Sequence, residues 1–271
     1  MLLDSDIERW LREDVGHHDV TNDVPGETTG RLVSKEGGVV AGIETACAVF
    51  DYLDVAVIDR LADGTTVDSG DVILRVEGPA KAVLRGERVA VNITGHASGI
   101  ATKTDAAVAA ARTVDNDVRI AATRKTTPGL RGIEKRAVAA AGGDTHRLDL
   151  SQMVMVKDNH VTEMGLVGAI SHFRERASFA TQLDVEVEEP EDAPRAAEAG
   201  ADVVLLDNMT PAETREAVDL LRASDADALA EASGGITVET VPDYAATGVD
   251  IISMGTLTHS APTLDLSFRT G

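Results

Sequence analysis

The chain has few aromatic residues, a single cysteine and no long apolar segment, and each shortage excludes a class of function. Aromatic residues make up 3% of its 271 residues, too few to build a stacking platform for single-stranded nucleic acid. The single cysteine, Cys47, cannot form a disulfide within the chain, which indicates a reducing compartment. It lies in the apolar segment ETACAVFDYL, where we expect a buried structural thiol.

Membrane and export signals are also lacking. No stretch approaches the roughly 20 apolar residues of a membrane span, and the start, MLLDSDIERWLREDVG, lacks the cationic flank and apolar core of a signal peptide. The formal net charge of −21 argues against nucleic acid or an anionic membrane as a partner. We therefore predict a cytoplasmic protein.

Lysine is scarce, with six lysines against 19 arginines in a chain that has 46 acidic residues. This composition is typical of proteins from salt-loving organisms, in which high ionic strength screens the repulsion between like charges. The pattern predicts a halophilic protein but says nothing about its activity.

One segment reverses the charge of the chain. Residues 118–160 contain eight basic residues and four acidic ones, whereas the rest of the chain has 42 acidic residues to 17 basic. A chain that repels anions elsewhere but concentrates cations in one segment favours a small ligand with several negative charges.

The second part of the chain alternates strands with helices. Residues up to about 102 form a mixed α and β pattern, with a strand predicted over Arg31–Ala41 and a long helical pattern over Glu87–Ala111 with a candidate interruption near Gly95 and Gly99. Beyond them six apolar strands alternate with helical segments, one of which is Thr162–Ala177. Such alternation indicates an α/β fold with parallel strands and right-handed crossovers. Six strands are too few for a complete eight-stranded barrel, so an abbreviated barrel and an open doubly wound sheet both fit. We predict domains at 1–102 and 103–261, with the tail 262–271 as a candidate addition to the first. The predicted strands are Val118–Thr123, Met153–Val156, Leu183–Val187, Val203–Leu206, Ala228–Ala232 and Asp250–Met254.

Polar residues follow each of these strands. Because the carboxyl ends of parallel strands share one face, where β/α barrels build their sites, we expect these residues to meet. Arginine matches a carboxylate with two parallel hydrogen bonds, whereas lysine supplies a mobile charge suited to phosphate. Arg124 and Lys125 alone would also fit a solvated loop pair, but His146, Arg147 and Lys157 follow in the same pattern and favour ligand binding.

Two acidic residues follow later strands. Glu186 and Asp207 are suited to binding ribose hydroxyls or Mg²⁺ near phosphates, although a structural role as partners of the cations is an alternative. Alternation places Asp184, Glu186 and Glu188 on one face of a strand, so spacing does not choose among them.

Two glycine-containing turns follow the last two strands. The segments Ser233-Gly234-Gly235 and Met254-Gly255-Thr256 present backbone N–H groups that can hold a phosphate at a helix N-terminus. A G-x-S-x-G motif does not occur, which disfavours a serine hydrolase.

These segments, in this order and spacing, resemble the quinolinate phosphoribosyltransferase family (nicotinate-nucleotide pyrophosphorylase). The resemblance spans nearly the whole chain. It is carried by LREDVGHHDVT, GVVAG, ERVAVNITGHASGIAT, TRKTTPGLR, GGDTHR, VKDNH, VEVE, AGADVVLLDNM, EASGGIT and TGVDIISMGTLTHS.

The resemblance implies a fold and a reaction. The expected fold is an α/β sandwich domain followed by an incomplete β/α barrel, in a homodimer or larger homo-oligomer with shared active sites. The expected reaction transfers phosphoribosyl from phosphoribosyl pyrophosphate to quinolinate, with Mg²⁺ as the cofactor. Carbon dioxide is lost, and nicotinate mononucleotide and pyrophosphate are formed for NAD synthesis.

The resemblance also implies residue roles. Arg124, His146 and Arg147 would bind the quinolinate carboxylates, and Arg88 would reach the neighbouring subunit's site. The predicted catalytic residues are Lys125, Lys157, Glu186 and Asp207, the last two also holding Mg²⁺. The complete predicted set of substrate-binding residues is Arg88, Thr123, Arg124, Lys125, His146, Arg147, Lys157, Glu186, Asp207, Ser233, Gly234, Gly235, Met254, Gly255, Thr256 and His259.

Two other functions fit parts of the pattern. A nicotinate phosphoribosyltransferase shares the chemistry but takes a monocarboxylate, and three predicted arginines near one pocket favour a dicarboxylate. A non-catalytic protein that binds a phosphate ligand would not need Lys125, Lys157, Glu186 and Asp207 together. One departure from the family pattern is Gly-Gly-Asp at 142–144, where Gly-Gly-Gly is usual, which we expect to affect the loop holding His146.

Overall fold

The computed structural model describes residues 4–271, which form two compact units. Unit 1 comprises the described residues up to Asp105, together with Thr127–Gly142 and Ser260–Gly271. Unit 2 comprises Ala106–Thr126 and Gly143–His259. The domain boundary drawn from the sequence at residue 102 stays a prediction.

The elements follow in chain order. The first part of the chain forms α1 (Asp4–Val15), β1 (Glu27–Ser34), β2 (Gly38–Val39), α2 (Ile43–Tyr52), β3 (Ala56–Arg60), β4 (Thr66–Val67), β5 (Val72–Pro79), α3 (Ala80–Arg112), β6 (Arg119–Ala121) and α4 (Arg131–Ala140). The remainder forms β7 (Val154–Val156), α5 (Asp158–Met164), α6 (Leu166–Arg174), β8 (Leu183–Val187), α7 (Asp192–Glu198), β9 (Val203–Asp207), α8 (Pro211–Ala223), β10 (Leu229–Ser233), α9 (Val241–Ala245), β11 (Ile251–Ser253), α10 (Thr256–His259) and β12 (Leu266–Thr270).

Unit 1 is built on an antiparallel sheet of order β12-β1-β5-β3, covered by helices. The last strand of the chain, β12, pairs with β1, so that Gly30 faces Thr270. Cys47 is 4% exposed and packs in the apolar core of this unit, as predicted, and burial raises the pKa of its thiol.

Two expectations for unit 1 were wrong. The segment predicted as one strand from Arg31 to Ala41 is divided between β1 and the short β2. The helix α3 runs unbroken through Gly95 and Gly99, where the sequence suggested an interruption. A Cβ at Gly99 would lie 1.8 Å from the Pro262 carbonyl oxygen, so the glycine permits close packing of chain segments rather than breaking the helix.

Unit 2 contains six parallel strands in the order β6-β11-β10-β9-β8-β7. Helices separate the strands along the chain, and β6 and β7 lie at the two ends of the sheet, so the barrel is incomplete, as predicted. The helix predicted over Thr162–Ala177 is two helices, α5 and α6, separated by Gly165 at a φ of 71°. Positive φ suits glycine and ends a helix.

The apolar core of unit 2 lies largely between the sheet and its helices, with residues such as Val204, Ile252 and Ala217 fully buried. The α8 helix begins with a reciprocal cap, in which Thr210 accepts the Glu213 N–H and the Glu213 carboxylate accepts the Thr210 N–H. Among residues 4–271, no helix is both long enough and apolar enough to cross a membrane.

Candidate active site

The carboxyl ends of the strands in unit 2 surround a cavity of about 290 Å³. Nine of the predicted site residues line it together, although they come from widely separated parts of the sequence. They are Thr123, Arg124, Lys125, His146, Arg147, Lys157, Glu186, Asp207 and Ser233. Glu231, Met155 and Ser253 complete much of the remaining wall.

The segment after β6 is held by side chains on both sides of Lys125. The Lys125 N–H donates to Thr123 Oγ1 at 3.1 Å, and Thr258 Oγ1 donates to the Lys125 carbonyl at 2.7 Å. Arg124 Nε is buried and has no hydrogen-bond partner among the described residues. A buried donor without a partner is costly, so this arginine is suited to an anionic ligand.

The loop at 143–148 carries His146 and Arg147 along the open side of the incomplete barrel. Asp144 forms an isolated parallel bridge with Ala121 at the end of β6, and Arg147 Nη2 lies 2.8 Å from Met155 Sδ in β7. His146 has a φ of 51°, which non-glycine residues adopt only when their surroundings enforce it. Asp144 Oδ1 accepts the His146 N–H at 2.7 Å, so the residue that departs from the family pattern helps to hold this loop.

Arg147 is 8% exposed, and its charge has neighbours of both signs. Burial, followed by the Arg124 guanidinium, lowers its pKa, whereas the Asp184, Glu231 and Glu186 carboxylates raise it. The two guanidinium groups are therefore close enough to repel each other, and a dianionic ligand between them would relieve that repulsion.

A lysine and two carboxylates line the same cavity at or near the ends of β7, β8 and β9. Lys157 Nζ donates to Glu186 Oε2 at 2.6 Å. Burial, followed by the Glu186 carboxylate, raises the pKa of Asp207, and Lys157 and Lys125 act in the opposite direction. Of the three acidic residues that the sequence left open, Glu186 lines the cavity, Asp184 is fully buried and Glu188 is exposed.

Sequence motifs assigned no role to His160, which supports Lys157. Its Nδ1 accepts the Lys157 backbone N–H at 3.0 Å, and its ring packs edge-on against Phe173. His160 thus fixes the backbone of Lys157 at the start of α5 without lining the cavity.

The turn after β10 is tightly packed. Gly234 has a φ of 100°, and a Cβ there would lie 2.3 Å from Asn208 Oδ1 and 2.7 Å from Asn208 N. Asn208 itself has a φ of 57°, and its N–H donates to the Ser233 carbonyl at 2.9 Å. Gly235, by contrast, has open space on its Cβ side, so a ligand can approach its backbone closely.

The last predicted turn is only partly suited to its role. The Met254 N–H donates to the Ala121 carbonyl at 2.8 Å and the side chain is buried in the core, so Met254 has no N–H to offer a phosphate. Gly255 directly precedes α10, which begins at Thr256, and a Cβ at Gly255 would lie 2.9 Å from Lys125 Cδ. His259 is exposed at the end of the same helix.

Arg88 lies on α3 in unit 1, where its half-exposed side chain is 3.6 Å from the Glu87 carboxylate. Its predicted contact with a neighbouring subunit's site stays a prediction.

Two models of one enzyme family match the chain. The model of the N-terminal domain of quinolinate phosphoribosyl transferase matches residues 18–98, and that of the C-terminal domain matches residues 100–269. The chain belongs to the quinolinate phosphoribosyl transferase family. The resemblance drawn from the sequence motifs is thereby confirmed.

Named relatives agree along nearly the full chain. A probable carboxylating nicotinate-nucleotide pyrophosphorylase of Methanothermobacter thermautotrophicus is 44% identical over 97% of both chains. The human carboxylating nicotinate-nucleotide pyrophosphorylase is 41% identical over 97% of this chain and 90% of its own. The crystal structure of NadC from Streptococcus pyogenes superposes with a TM-score of 0.92 at 37% identity, covering 99% of this chain and 96% of that one.

Sequence motifs left the role of Asp184 open and assigned none to Glu231, and both are buried acids close to the His146 ring. Asp184 and Glu231 are 0% and 1% exposed. Burial, followed by the Glu231 carboxylate, raises the pKa of Asp184 to about 8. A signal was available, since each acid interrupts an apolar strand, in LDVEV and LAEAS.

Proposed function

We propose that this chain is a quinolinate phosphoribosyltransferase. It transfers phosphoribosyl from phosphoribosyl pyrophosphate to the ring nitrogen of quinolinate, and loss of carbon dioxide then gives nicotinate mononucleotide for NAD synthesis. The observation that carries the proposal is the single cavity in which Arg124, Lys125, Arg147 and Lys157 converge with Glu186 and Asp207.

The cations recognise the acceptor. Quinolinate is a dianion, and the arginines can each bind a carboxylate with two hydrogen bonds. Arg124, with its unpartnered Nε, and Arg147 hold the two carboxylates together with His146. A monocarboxylate such as nicotinate would leave one of these buried cations unpaired, which is costly.

The reaction needs positioning and charge more than proton transfer. The pyridine nitrogen is itself the nucleophile, so its lone pair forms the bond to ribose C1 while the bond from C1 to pyrophosphate breaks. Lys125 and Lys157 stabilise the negative charge that develops on the leaving pyrophosphate. The carboxylate beside the nitrogen then leaves as carbon dioxide, because the positive ring accepts the electron pair, and a proton from solvent replaces it.

The carboxylates are suited to the ribose and to a metal. Glu186 and Asp207 supply the oxygen ligands that Mg²⁺ prefers, and their mutual repulsion, seen in the raised pKa of Asp207, would be relieved by a cation. Glu186 and Asp207 would hold Mg²⁺ at the donor, where it would neutralise charge on the pyrophosphate. We assign the 5′-phosphate to the backbone amides of Gly234, Gly235 and Gly255.

The decisive experiment measures pyrophosphate and carbon dioxide release with quinolinate, phosphoribosyl pyrophosphate and Mg²⁺ at high ionic strength. We expect both products in equal amounts and no release with nicotinate. Turnover of nicotinate without carbon dioxide from quinolinate would instead identify a nicotinate phosphoribosyltransferase. Binding of quinolinate without pyrophosphate release would identify a non-catalytic binding protein.

We also infer a homodimer or larger homo-oligomer in which Arg88 serves the partner's site, by the family resemblance. Mixing Arg88→Ala subunits with Lys157→Ala subunits should restore part of the activity that each variant loses alone. Activity that stays absent in the mixture, despite subunit exchange shown by mass spectrometry, would contradict shared sites. The cytoplasmic location stays a prediction.

A further inference from the structure

Glu231 is a buried carboxylate at the floor of the cavity that the reaction does not use directly. It lies in the middle of β10, opposite Leu205 of β9 and Ile251 of β11, and is 1% exposed. The interior of a β/α barrel is usually filled with branched apolar side chains. An acid at this position is therefore costly unless another group requires it.

The group that contacts Glu231 is the His146 ring. His146 Nε2 lies 3.1 Å from Glu231 Oε2 and 3.8 Å from Asp184 Oδ2. A carboxylate oxygen can only accept, so a close contact with ionised Glu231 requires that Nε2 carry a proton and donate it. Glu231 thus determines the ring's orientation and keeps Nε2 pointed to the barrel floor. Recognition of a carboxylate by the other nitrogen requires an N–H at Nδ1 as well, so the imidazolium form, which donates from both nitrogens, is the one that binds.

The backbone of His146 needs such support. Its φ of 51° places it in a region that is unfavourable for histidine, and Asp144 Oδ1 accepts its N–H. The backbone is held by Asp144 and the ring by Glu231, so the side chain beside Arg147 is fixed before any ligand binds.

His146, Asp184 and Glu231 offer ligand atoms within 4.8 Å of one another, an arrangement that would also suit a metal ion. The Arg147 guanidinium, however, already interacts electrostatically with the carboxylates of both Asp184 and Glu231. The Arg147 side chain thus supplies the positive charge that a metal ion would bring, and it disfavours binding of a second cation beside it.

We propose, on the basis of the function proposed above, that Glu231 is a positioning residue that orients His146 to recognise a carboxylate of the acceptor. Glu231 does not touch the substrate. It acts through the imidazole and therefore affects acceptor binding more than the chemistry of the phosphoribosyl donor.

The test is a double-mutant cycle with Glu231→Gln and His146→Ala, read out as KM for each substrate and kcat. Glutamine keeps the shape of the side chain but can donate to Nε2 as readily as accept from it, so it no longer fixes the ring's proton. We expect Glu231→Gln to raise the KM for quinolinate about tenfold, the effect of losing a hydrogen bond to a charged group. The KM for phosphoribosyl pyrophosphate should stay near the wild-type value.

The cycle separates positioning from stability. In the His146→Ala background, Glu231→Gln should change the KM for quinolinate by less than about twofold, because the ring through which it acts is absent. Asp250→Asn is the matched control, because Asp250 Oδ2 accepts the N–H of Ala230, the residue before Glu231 in β10, at 2.7 Å and pairs with Arg222 and not with His146. It should lower the melting temperature without changing the KM for quinolinate.

Each result decides the matter. Equal tenfold effects in both backgrounds, or an unchanged KM in Glu231→Gln, overturn the positioning role while leaving the proposed function intact. A wild-type chain that neither binds nor turns over quinolinate overturns both. If Glu231→Gln does not fold, Glu231→Asp keeps the charge but withdraws the carboxylate from the ring, and the same loss of quinolinate affinity is expected.

Discussion

Individual residues of the site are held by contacts that leave their charged ends facing the cavity. Thr258 and Thr123 fix the backbone of Lys125, His160 fixes that of Lys157, and Asp144 fixes that of His146. A site that binds by charge alone depends on this rigidity, because electrostatic stabilisation is effective when the charges need not reorganise.

Replacing a cavity cation tests the site directly. Arg124→Ala or Lys157→Ala should lower kcat/KM at least about 100-fold, since each removes a charged contact worth roughly 3 kcal/mol in a water-poor site. Arg195→Ala is a suitable control, because Arg195 is an exposed arginine of α7 whose guanidinium pairs with Asp192 one turn earlier in the same helix. Near-normal kinetics in both cavity variants would refute the site.

The buried Asp184 should make stability depend on pH. Its pKa is raised from 3.8 to about 8, so the folded state binds its proton more tightly than the unfolded state. The contribution of this proton binding to the free energy of unfolding is fully present below about pH 4 and is lost as the pH rises through about 8. Asparagine cannot ionise. The free energy of unfolding of Asp184→Asn, relative to that of the wild type, should therefore be higher at pH 8 than at pH 5 by at least about 1 kcal/mol. Urea unfolding of both proteins at pH 5 and pH 8 measures this change. The same difference between variant and wild type at both pH values would contradict the raised pKa of Asp184.

At the scale of elements, strand ends and glycines decide where side chains meet. The alternation of apolar strands and helices predicted the six strands of unit 2 closely, since hydrophobic runs of this length are typical of buried parallel strands. The glycines of α3 were misread because helix propensity concerns the isolated helix. Their real role is contact with the segment at 262–264, distant in the sequence.

Two helical glycines should respond to alanine in opposite ways. Gly99→Ala in α3 should destabilise unit 1 by several kcal/mol, since its Cβ would collide with the Pro262 carbonyl. Gly132→Ala in α4 should stabilise the folded protein by about 0.5–1 kcal/mol, because alanine favours the helix. The position is exposed, and the nearest atom to a Cβ there, Arg136 Nη1, is 3.7 Å away. Melting temperatures compare them, and equal shifts of the same sign would contradict the packing described.

At the scale of the molecule, charge is distributed very unevenly. The net charge of −21 repels anions, yet the cavity of unit 2 gathers four basic side chains. This arrangement favours anion binding in the cavity over the rest of the surface. The many acidic residues over the rest of the surface repel one another, and this repulsion lowers the stability of the folded state.

Salt should therefore stabilise the protein. Raising KCl from about 0.1 M to 1 M shortens the screening length from about 10 Å to about 3 Å and should raise the melting temperature by several degrees. NaCl at the same ionic strength is the control and should give a similar rise, because screening depends on ionic strength and not on which monovalent cation is present. A melting temperature that is unchanged or falls with KCl would contradict the halophilic character predicted from composition.

The sequence by itself determined the family, the parallel strands and most of the cavity residues, because motif order and hydrophobic period are local properties of a chain. Only the tertiary structure distinguished Asp184 from Glu186 on one strand face, committed the Met254 amide to the sheet, and placed Glu231 against His146. Those outcomes depend on burial and on contacts between residues up to 133 positions apart, such as Lys125 and Thr258. Such contacts form only when the strands pack together.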